Sequence, residues 1–194
     1  MKSIYLRIKM KDPFKTAGQR QGTRETFLRT EDGNYPFIPA THFKGVLRHE
    51  LERLGKEDFV VKNLGTMNPD SGREGEEYRE TMVKFMDLIP ADSWKTAVRP
   101  HVSIEQKTGK AGAGHLQFEE VVAKGAEFHG MILLKDSNEE VERIIHAGIL
   151  SVADFGIGGS RSSGLGRFEI LDFNVLEGDE AIEKIKETYL EVWE

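Results

Sequence analysis

Gly156-Ile157-Gly158-Gly159-Ser160-Arg161-Ser162-Ser163-Gly164-Leu165-Gly166 sets five glycines and three serines around a single arginine. Glycine admits positive φ and lets a partner reach the main chain without meeting a Cβ. Successive N–H groups in such a segment form a concave anion site, and Arg161 adds a forked cation suited to phosphate. The plain alternative is a flexible connection. The flanks decide what is connected. Upstream, Ile144, Ile145, Ile149, Leu150 and Val152 recur at helical spacing from Asn138 to Asp154. Downstream, Phe168, Ile170, Phe173 and Val175 alternate as in a strand, with a slip near Leu171. The loop therefore runs from helix to strand, whereas nucleotide-binding glycine loops run from strand to helix. Leu165 and Gly166 also follow Gly164 where a P-loop has Lys and Ser or Thr. Both nucleotide fingerprints are excluded.

The rest of the chain fits around that helix–loop–strand unit. Ile4, Leu6, Ile8 and Met10 alternate with polar residues, which predicts a half-buried strand ended by Pro13. The segment from Lys15 to Arg24 has no periodicity and reads as a mobile basic loop carrying Arg20 and Arg24. A short extended run, Thr26–Arg29, precedes the turn signal Glu31-Asp32-Gly33-Asn34. Thr41 is placed to cap a helix with the stripe Phe43, Val46, Leu47, Leu51 and Leu54, closed by Gly55. Lys56–Thr81 reads as an irregular insertion and Met82–Ile89 as a buried strand. Ala97–Glu105 is extended again, and Gln106–Gly114 is the small, basic tip of a projecting hairpin that should be mobile in the free protein. Ala126–Lys135 is a strand. Asp179–Glu194 is an amphipathic helix with Ile182, Ile185, Tyr189 and Val192/Trp193 on its packing side. The fold class is α+β: a ferredoxin-like or RRM-like βαββαβ core with an inserted β-hairpin and a C-terminal helix. We expect one domain over 1–194, with insertions at about 56–81 and 103–122. The aromatic signature of an ordinary RRM is missing from Ala126–Lys135, so base stacking on the sheet face is not the expected mode.

Composition narrows the function. At 194 residues and 38% hydrophobic the chain can bury a full core. The absence of cysteine removes disulfide frameworks and cysteine-ligated zinc, and with 31% charged residues suits a cytoplasmic protein. No signal peptide is evident, and no apolar run approaches a membrane span. A net charge of −6 argues against a protein basic over its whole surface. A basic stripe remains open, because the acids gather in Glu74–Glu80, Glu139–Glu142 and Glu177–Glu194.

Lys44 and Arg48 lie four apart on the first helix, where like charges oppose each other by a few tenths of a kcal/mol. Arg48 pairing with Glu52, with Lys44 merely solvated, is the competing reading. Gly45 costs that helix about 1 kcal/mol relative to alanine, so a strand or a ligand should approach its backbone. Asp87 is either paired or functional. His42 and His49 sit on the same helix; His101, His115, His129 and His146 are scattered without metal-ligand spacing.

Four blocks resemble the RAMP superfamily of CRISPR-associated proteins. Phe37-Ile38-Pro39-Ala40-Thr41-His42-Phe43-Lys44-Gly45-Val46-Leu47-Arg48 is similar to its IPG-S-S-L-K-G-x-x-R segment, with Ala40 at the glycine and Thr41 and His42 at the serines. Ser103–Ala111 followed by Phe118–Val122 is similar to its thumb hairpin. Gly125–Gly130 and Gly158–Gly166 resemble the later blocks. The resemblance is nearest to the backbone subunit of type III RNA-guided effector complexes. It implies a subunit that holds crRNA without reading its sequence, meets complementary target RNA, and assembles with other effector subunits and copies of itself. By the same resemblance, Lys44, Arg48, Gly158, Gly159, Ser160, Arg161, Ser162, Ser163, Gly164 and Gly166 would contact guide phosphates. Arg20, Arg24, Lys107 and Lys110 would add further RNA contacts. No cofactor, metal or catalytic residue is implied, and no membrane. The alternative within the superfamily is an endoribonuclease that processes crRNA, with His42 or His49 as acid or base, or one that cuts target RNA. Cutting subunits carry an aspartate before the first block. Counting back from Pro39, that position falls near Arg24, beside Glu25. Binding without efficient cleavage is the expectation.

Overall fold

The computed structural model describes residues 2–21, 24–30, 35–65, 81–104 and 111–190, with side chains omitted at 17–21, 24–25, 101, 103–104 and 111–117. Among the described residues, nine strands and four α-helices succeed one another. They are β1 (Lys2–Met10), β2 (Ala17–Gln21), β3 (Arg24–Phe27), α1 (Ala40–Arg53), α2 (Glu57–Leu64), β4 (Val83–Phe85) and β5 (Ile89–Pro90). Then come β6 (Thr96–Ile104), β7 (Ala111–Val122), β8 (Glu127–Leu134), α3 (Glu139–Phe155), β9 (Phe168–Glu177) and α4 (Gly178–Tyr189).

The alternation read in β1 is the core alternation. Ile4, Leu6, Ile8 and Met10 are buried against the helices, among Phe43, Leu47, Leu51, Ile145, Ile149 and Phe128. β1 lies between β8 and β9, antiparallel to both, and β4 and β5 pair with the outer side of β8. The order β4–β8–β1–β9 interleaves two split βαβ units, β1–α1–β4 and β8–α3–β9, which is the ferredoxin-like arrangement. Asn138 caps α3 as the sequence implies, its side chain accepting from the Val141 N–H at 3.0 Å. The slip near Leu171 is a β-bulge: Arg7 faces Asp172 while Ile8 faces Ile170.

The strand expected over Met82–Ile89 is broken in two, and the break organises its neighbourhood. Phe85 faces Ile132 and Ile89 faces His129, so three residues between them oppose two on β8. Leu88 turns away to exchange two backbone hydrogen bonds with Ile38 at 2.9 and 3.0 Å. Asp87 Oδ1 accepts the Ala40 N–H at 2.7 Å. Asp87 is therefore the cap of α1, the role expected of Thr41, and the helix begins two residues earlier than a Thr41 cap would place it. The bulge also leaves the Met131 N–H and the Asp87 carbonyl outside the strand ladder. Tyr189 Oη accepts from the first at 3.0 Å and donates to the second at 2.9 Å.

That bridge fixes α4 on the sheet face opposite α1 and α3. Ala181, Thr188 and Tyr189 are buried there and Ile185 is partly so, over Tyr5, Ile89 and Met131. Ile182, expected on the packing side, is 42% exposed. The small Ala181 lets the helix approach closely, and the Tyr189 hydroxyl sets its rotation. Val192 and Trp193 lie outside the described residues.

Two other expectations are corrected. The segment from Lys56 to Thr81 opens with α2, which buries Val60, Asn63 and Leu64; residues 66–80 lie outside the described set. The segment Lys15–Arg24, read as a mobile basic loop, holds β2 and the first residue of β3, which runs on into the extended stretch expected from Thr26. These join β7 and β6 in a second sheet, order β2–β3–β7–β6, with β3 parallel to β7. The projecting hairpin is thus the outer part of a four-stranded sheet. Reciprocal backbone bonds between Phe14 and Val122, 2.9 and 2.7 Å, tie it to the core. Of its expected tip, Gln106–Gly114, residues 106–110 lie outside the described residues, while 111–114 belong to β7 rather than to a loop.

Candidate nucleic-acid interface

The glycine-rich segment leaves α3 at Gly156 and crosses the end of the core. Ile157 and Leu165 are buried and act as two apolar plugs that hold the loop down. Between them the backbone doubles back: the Ile157 N–H donates to the Gly166 carbonyl at 2.9 Å, and the Gly166 N–H to the Pro13 carbonyl at 3.0 Å. Gly158 has φ +89°, and a Cβ there would sit 2.2 Å from the Lys15 carbonyl oxygen and 2.8 Å from the Phe14 ring. At Gly166, φ +86°, a Cβ would lie 1.9 Å from the Ile157 carbonyl oxygen. These two glycines are required by close backbone approach.

Those bonds correct the expected row of free amides. Gly158 N–H donates to His42 Nε2 at 2.9 Å and Gly159 N–H to the Lys15 carbonyl at 2.8 Å. The loop's first half is spent on anchoring. What it presents outward is the turn Ser160–Gly164, with Arg161, Ser162, Ser163 and Gly164 exposed and Ser160 in the left-handed region at φ +57°. Arg161 has no ion pair among the described residues.

His42 joins this loop to the first turn of α1. A backbone amide can only donate, so Nε2 is the unprotonated nitrogen and the ring is neutral. Burial, then the positive charge of Arg161, hold its pKa below the ordinary value of 6.5. Two residues on, Lys44 is half-buried and unpaired among the described residues. Burial and neighbouring Arg48 hold its pKa below the usual lysine range. Gly45 is exposed, and beyond its own helix turn no described atom lies within 4 Å of where its Cβ would be. Of the two approaches expected there, a strand or a ligand, no strand is found among the described residues.

Arg48 is placed elsewhere. It is 7% exposed and donates from Nη2 to the Leu64 carbonyl at 2.9 Å and to the Gly65 carbonyl. It closes the C-terminus of α2, where orphan carbonyls attract a cation. Glu52 is 3.9 Å away, a loose pair. The guanidinium is committed to these carbonyls inside the protein.

The second sheet adds residues that sequence reading missed. Lys15, counted with the mobile basic segment, is 4% exposed, and its Nζ meets Glu119 of β7 at 3.0 Å. Arg99 of β6 donates to the Ser163 carbonyl at 3.2 Å, so the hairpin base touches the outer turn of the glycine loop. Arg29 pairs with Glu120 at 3.3 Å and covers the rings of Phe27 and Trp94. No periodicity marks Lys15 or Arg99, because each acts through a partner distant in sequence. Arg20 and Arg24 fall on β2 and β3, with Arg24 in register with Phe118 of β7; their side chains lie outside the described set. Lys107 and Lys110 lie outside the described residues.

The arrangement brings Arg161 and Arg99 together on the glycine loop, which His42 ties to the first turn of α1, and leaves Lys44 two residues further along that helix, beside Arg48. It offers a way to hold an anionic backbone and, among the described residues, no acid–base pair beside it. His129 bonds Tyr5 Oη through Nδ1 at 3.1 Å on the α4 side, and His146 stacks on Phe173 at 4.4 Å. Among the described residues no cluster of three or more His, Asp or Glu could hold a metal ion. No helix described is long and apolar enough to cross a membrane.

The sequence model of the RAMP superfamily matches residues 18–169 of the chain. The fold is similar to a chain in the cryo-EM structure of the type III-B Cmr-beta bound to cognate target RNA. That likeness has a TM-score of 0.72 and 19% identity, and covers 91% of this chain and 61% of the other. The chain thus spans under two thirds of that relative. A chain in the cryo-EM structure of the type III-B Cmr-beta in its apo state is similar with a TM-score of 0.62 and 15% identity, over 88% and 96% of the two chains. At these identities the likeness is one of fold. Comparison with curated protein sequences gives no match.

Proposed function

The chain belongs to the RAMP superfamily, and on that premise we propose that it is a crRNA-binding backbone subunit of a type III CRISPR effector complex. It holds the guide through phosphates, without reading bases. The observation that carries this reading is the junction of α1, the glycine loop and the hairpin base. In a chain of net charge −6, Lys44, next to the exposed Gly45, and Arg161, on the outer turn of the loop, remain without an acidic partner among the described residues. Cations left unpaired beside a helix face with no side chain suit a sugar–phosphate strand passing close to that face.

The contact set proposed is Lys44, Arg161 and the outer turn Ser160–Gly164, with the main chain at Gly45. Gly158, Gly159 and Gly166 position that turn, and Arg48 positions α2. The second sheet, bearing Arg20 and Arg24, is the thumb of the superfamily and stands beside this track to meet complementary RNA. The commitment of Asp87 to the cap of α1, and of His42 Nε2 to the Gly158 amide, favours binding over cleavage. Purification under non-denaturing conditions, with sequencing of the co-purified RNA, tests the reading. CRISPR repeat-derived guides of varied spacer sequence are expected. Recovery of no RNA, or of a single unrelated RNA species, would overturn it.

A further inference from the structure

We infer that His42 is a positioning residue that latches the glycine-rich loop into its RNA-holding conformation, and that this latch is open when the imidazole is protonated. The inference rests on the RNA-binding reading for its functional consequence, though not for the latch itself.

The geometry is specific. Gly158 is wedged by its neighbours, with the Lys15 carbonyl and the Phe14 ring where a Cβ would stand. It is the residue at which the loop turns outward toward Ser160–Gly164. Its N–H donates to His42 Nε2 at 2.9 Å. His42 stands in the first turn of α1, and that turn is fixed by Asp87 Oδ1 on the Ala40 N–H. The chain of bonds therefore runs from the β4–β5 bulge through the helix N-terminus into the loop that carries Arg161. Protonation turns Nε2 from acceptor to donor, so two N–H groups then face each other and the Gly158 amide loses its partner.

The charges around the ring reinforce a neutral resting state. From the loop, Arg161 acts on it directly. From the segment after β1, Lys15 contributes a carbonyl to Gly159, while its ammonium is held by Glu119. From β6, Arg99 reaches the same loop at Ser163. On its own helix Lys44 is a further cation. Asp87 is occupied as the helix cap. Burial and Arg161 both disfavour the imidazolium, so the latch is closed near neutral pH and opens on acidification.

This gives RNA binding a pH dependence opposite in sign to that of a histidine acting as a phosphate contact. A contact histidine gains charge as pH falls and binds RNA more tightly. A latch loses its bond and binds less tightly. Glutamine at position 42 can present an amide oxygen near the Nε2 position and does not titrate.

The test monitors the Gly158 amide and RNA affinity together, on the full chain. Wild type, His42→Gln and His42→Ala are titrated from pH 7.5 to 5.5 at constant ionic strength. Amide exchange and the 15N shift of Gly158 are recorded, together with affinity for a labelled single-stranded RNA of mixed sequence. We expect wild type to lose Gly158 protection and about five- to tenfold in affinity across the range, the worth of one charge-sensitive hydrogen bond. His42→Gln should keep protection and a flat profile, and His42→Ala should be unprotected and weak throughout. Tighter RNA binding by wild type at low pH would overturn the latch, as would Gly158 protection that is unchanged in His42→Ala. Failure of wild type to bind RNA at any pH would instead contradict the RNA-binding reading, and the Gly158 exchange data would still decide the latch.

Discussion

At the residue scale, two neighbours on one helix turn have opposite roles. Lys44 and Arg48 are both basic and four apart, and spacing alone groups them. Arg48 is buried on the carbonyls of Leu64 and Gly65, so its loss leaves orphan acceptors in a closed site. Arg48→Ala should destabilise the fold by about 2 kcal/mol, read as a shift in denaturant midpoint. Lys44→Ala should leave the midpoint nearly unchanged. An Arg48→Ala protein as stable as wild type would return that arginine to the surface. Gly45 offers a sharper contrast. Its Cβ space is empty, so Gly45→Ala should raise stability by about 1 kcal/mol through helix propensity, yet weaken RNA binding if the strand passes over that backbone. Improved stability with unchanged affinity would remove Gly45 from the interface.

Histidine titration gives a second residue-scale expectation. His42 and His129 both have folded pKa values held below 6.5, first by burial. Their neutral forms are favoured in the folded state, so the unfolded chain takes up protons first as pH falls. The stability tied to neutrality is therefore full above 6.5 and lost as pH falls through the lower folded values. Asp12 and Glu127, whose pKa values are also lowered, respond only below the ordinary carboxylate range. Thermal unfolding between about pH 7 and 5 should show falling stability. A rise over that window would contradict the burial of both rings.

At the scale of elements, what is legible in the sequence is what repeats. The helical spacing before Gly156 and the alternation after it place α3 and β9, and even the Leu171 bulge shows as a slip in that alternation. The βαββαβ order comes from those signals and β1. What is not legible depends on partners far along the chain. β2 and β3 have no hydrophobic alternation because they lie in a sheet built on the hairpin, so propensity reads them as loop. α2 is one short amphipathic run inside an acidic stretch. The rotation of α4 is set by a hydroxyl bridging a bulge, which no periodicity encodes. The glycine loop stands out as a candidate site, but its row of free amides is shortened by folding, since Ile157 and Leu165 pin it and the amides of residues 157–159 are engaged. Gly158→Ala measures that pinning. Positive φ and a Cβ pressed on the Lys15 carbonyl should cost on the order of 1–3 kcal/mol. Gly164→Ala, with the same sign of φ but open space around it, should cost less. Equal costs would mean the loop is not held against Lys15.

At the scale of the molecule, an acidic chain is expected to bind an acidic polymer, and the resolution lies in where the charges sit. Acids line α4 and the edge beside it, with Asp172, Glu180, Glu183 and Glu187 around one groove. Arg161 and Arg99 meet instead on the glycine loop, and Lys44 stands on α1, the helix that His42 ties to that loop. Net charge then sets solubility while the local field sets binding. The central claim is that Lys44 and Arg161 hold RNA phosphates without reading bases. The most direct measurement is the salt dependence of affinity for two unrelated single-stranded RNAs, comparing wild type with Lys44→Ala, Arg161→Ala and the double variant. Each single substitution should lower the slope of log K against log salt by about 0.7, one counterion on a single strand. The two losses should add, and both RNAs should be affected alike. An unchanged slope in the double variant, or a loss confined to one of the two sequences, would contradict the account.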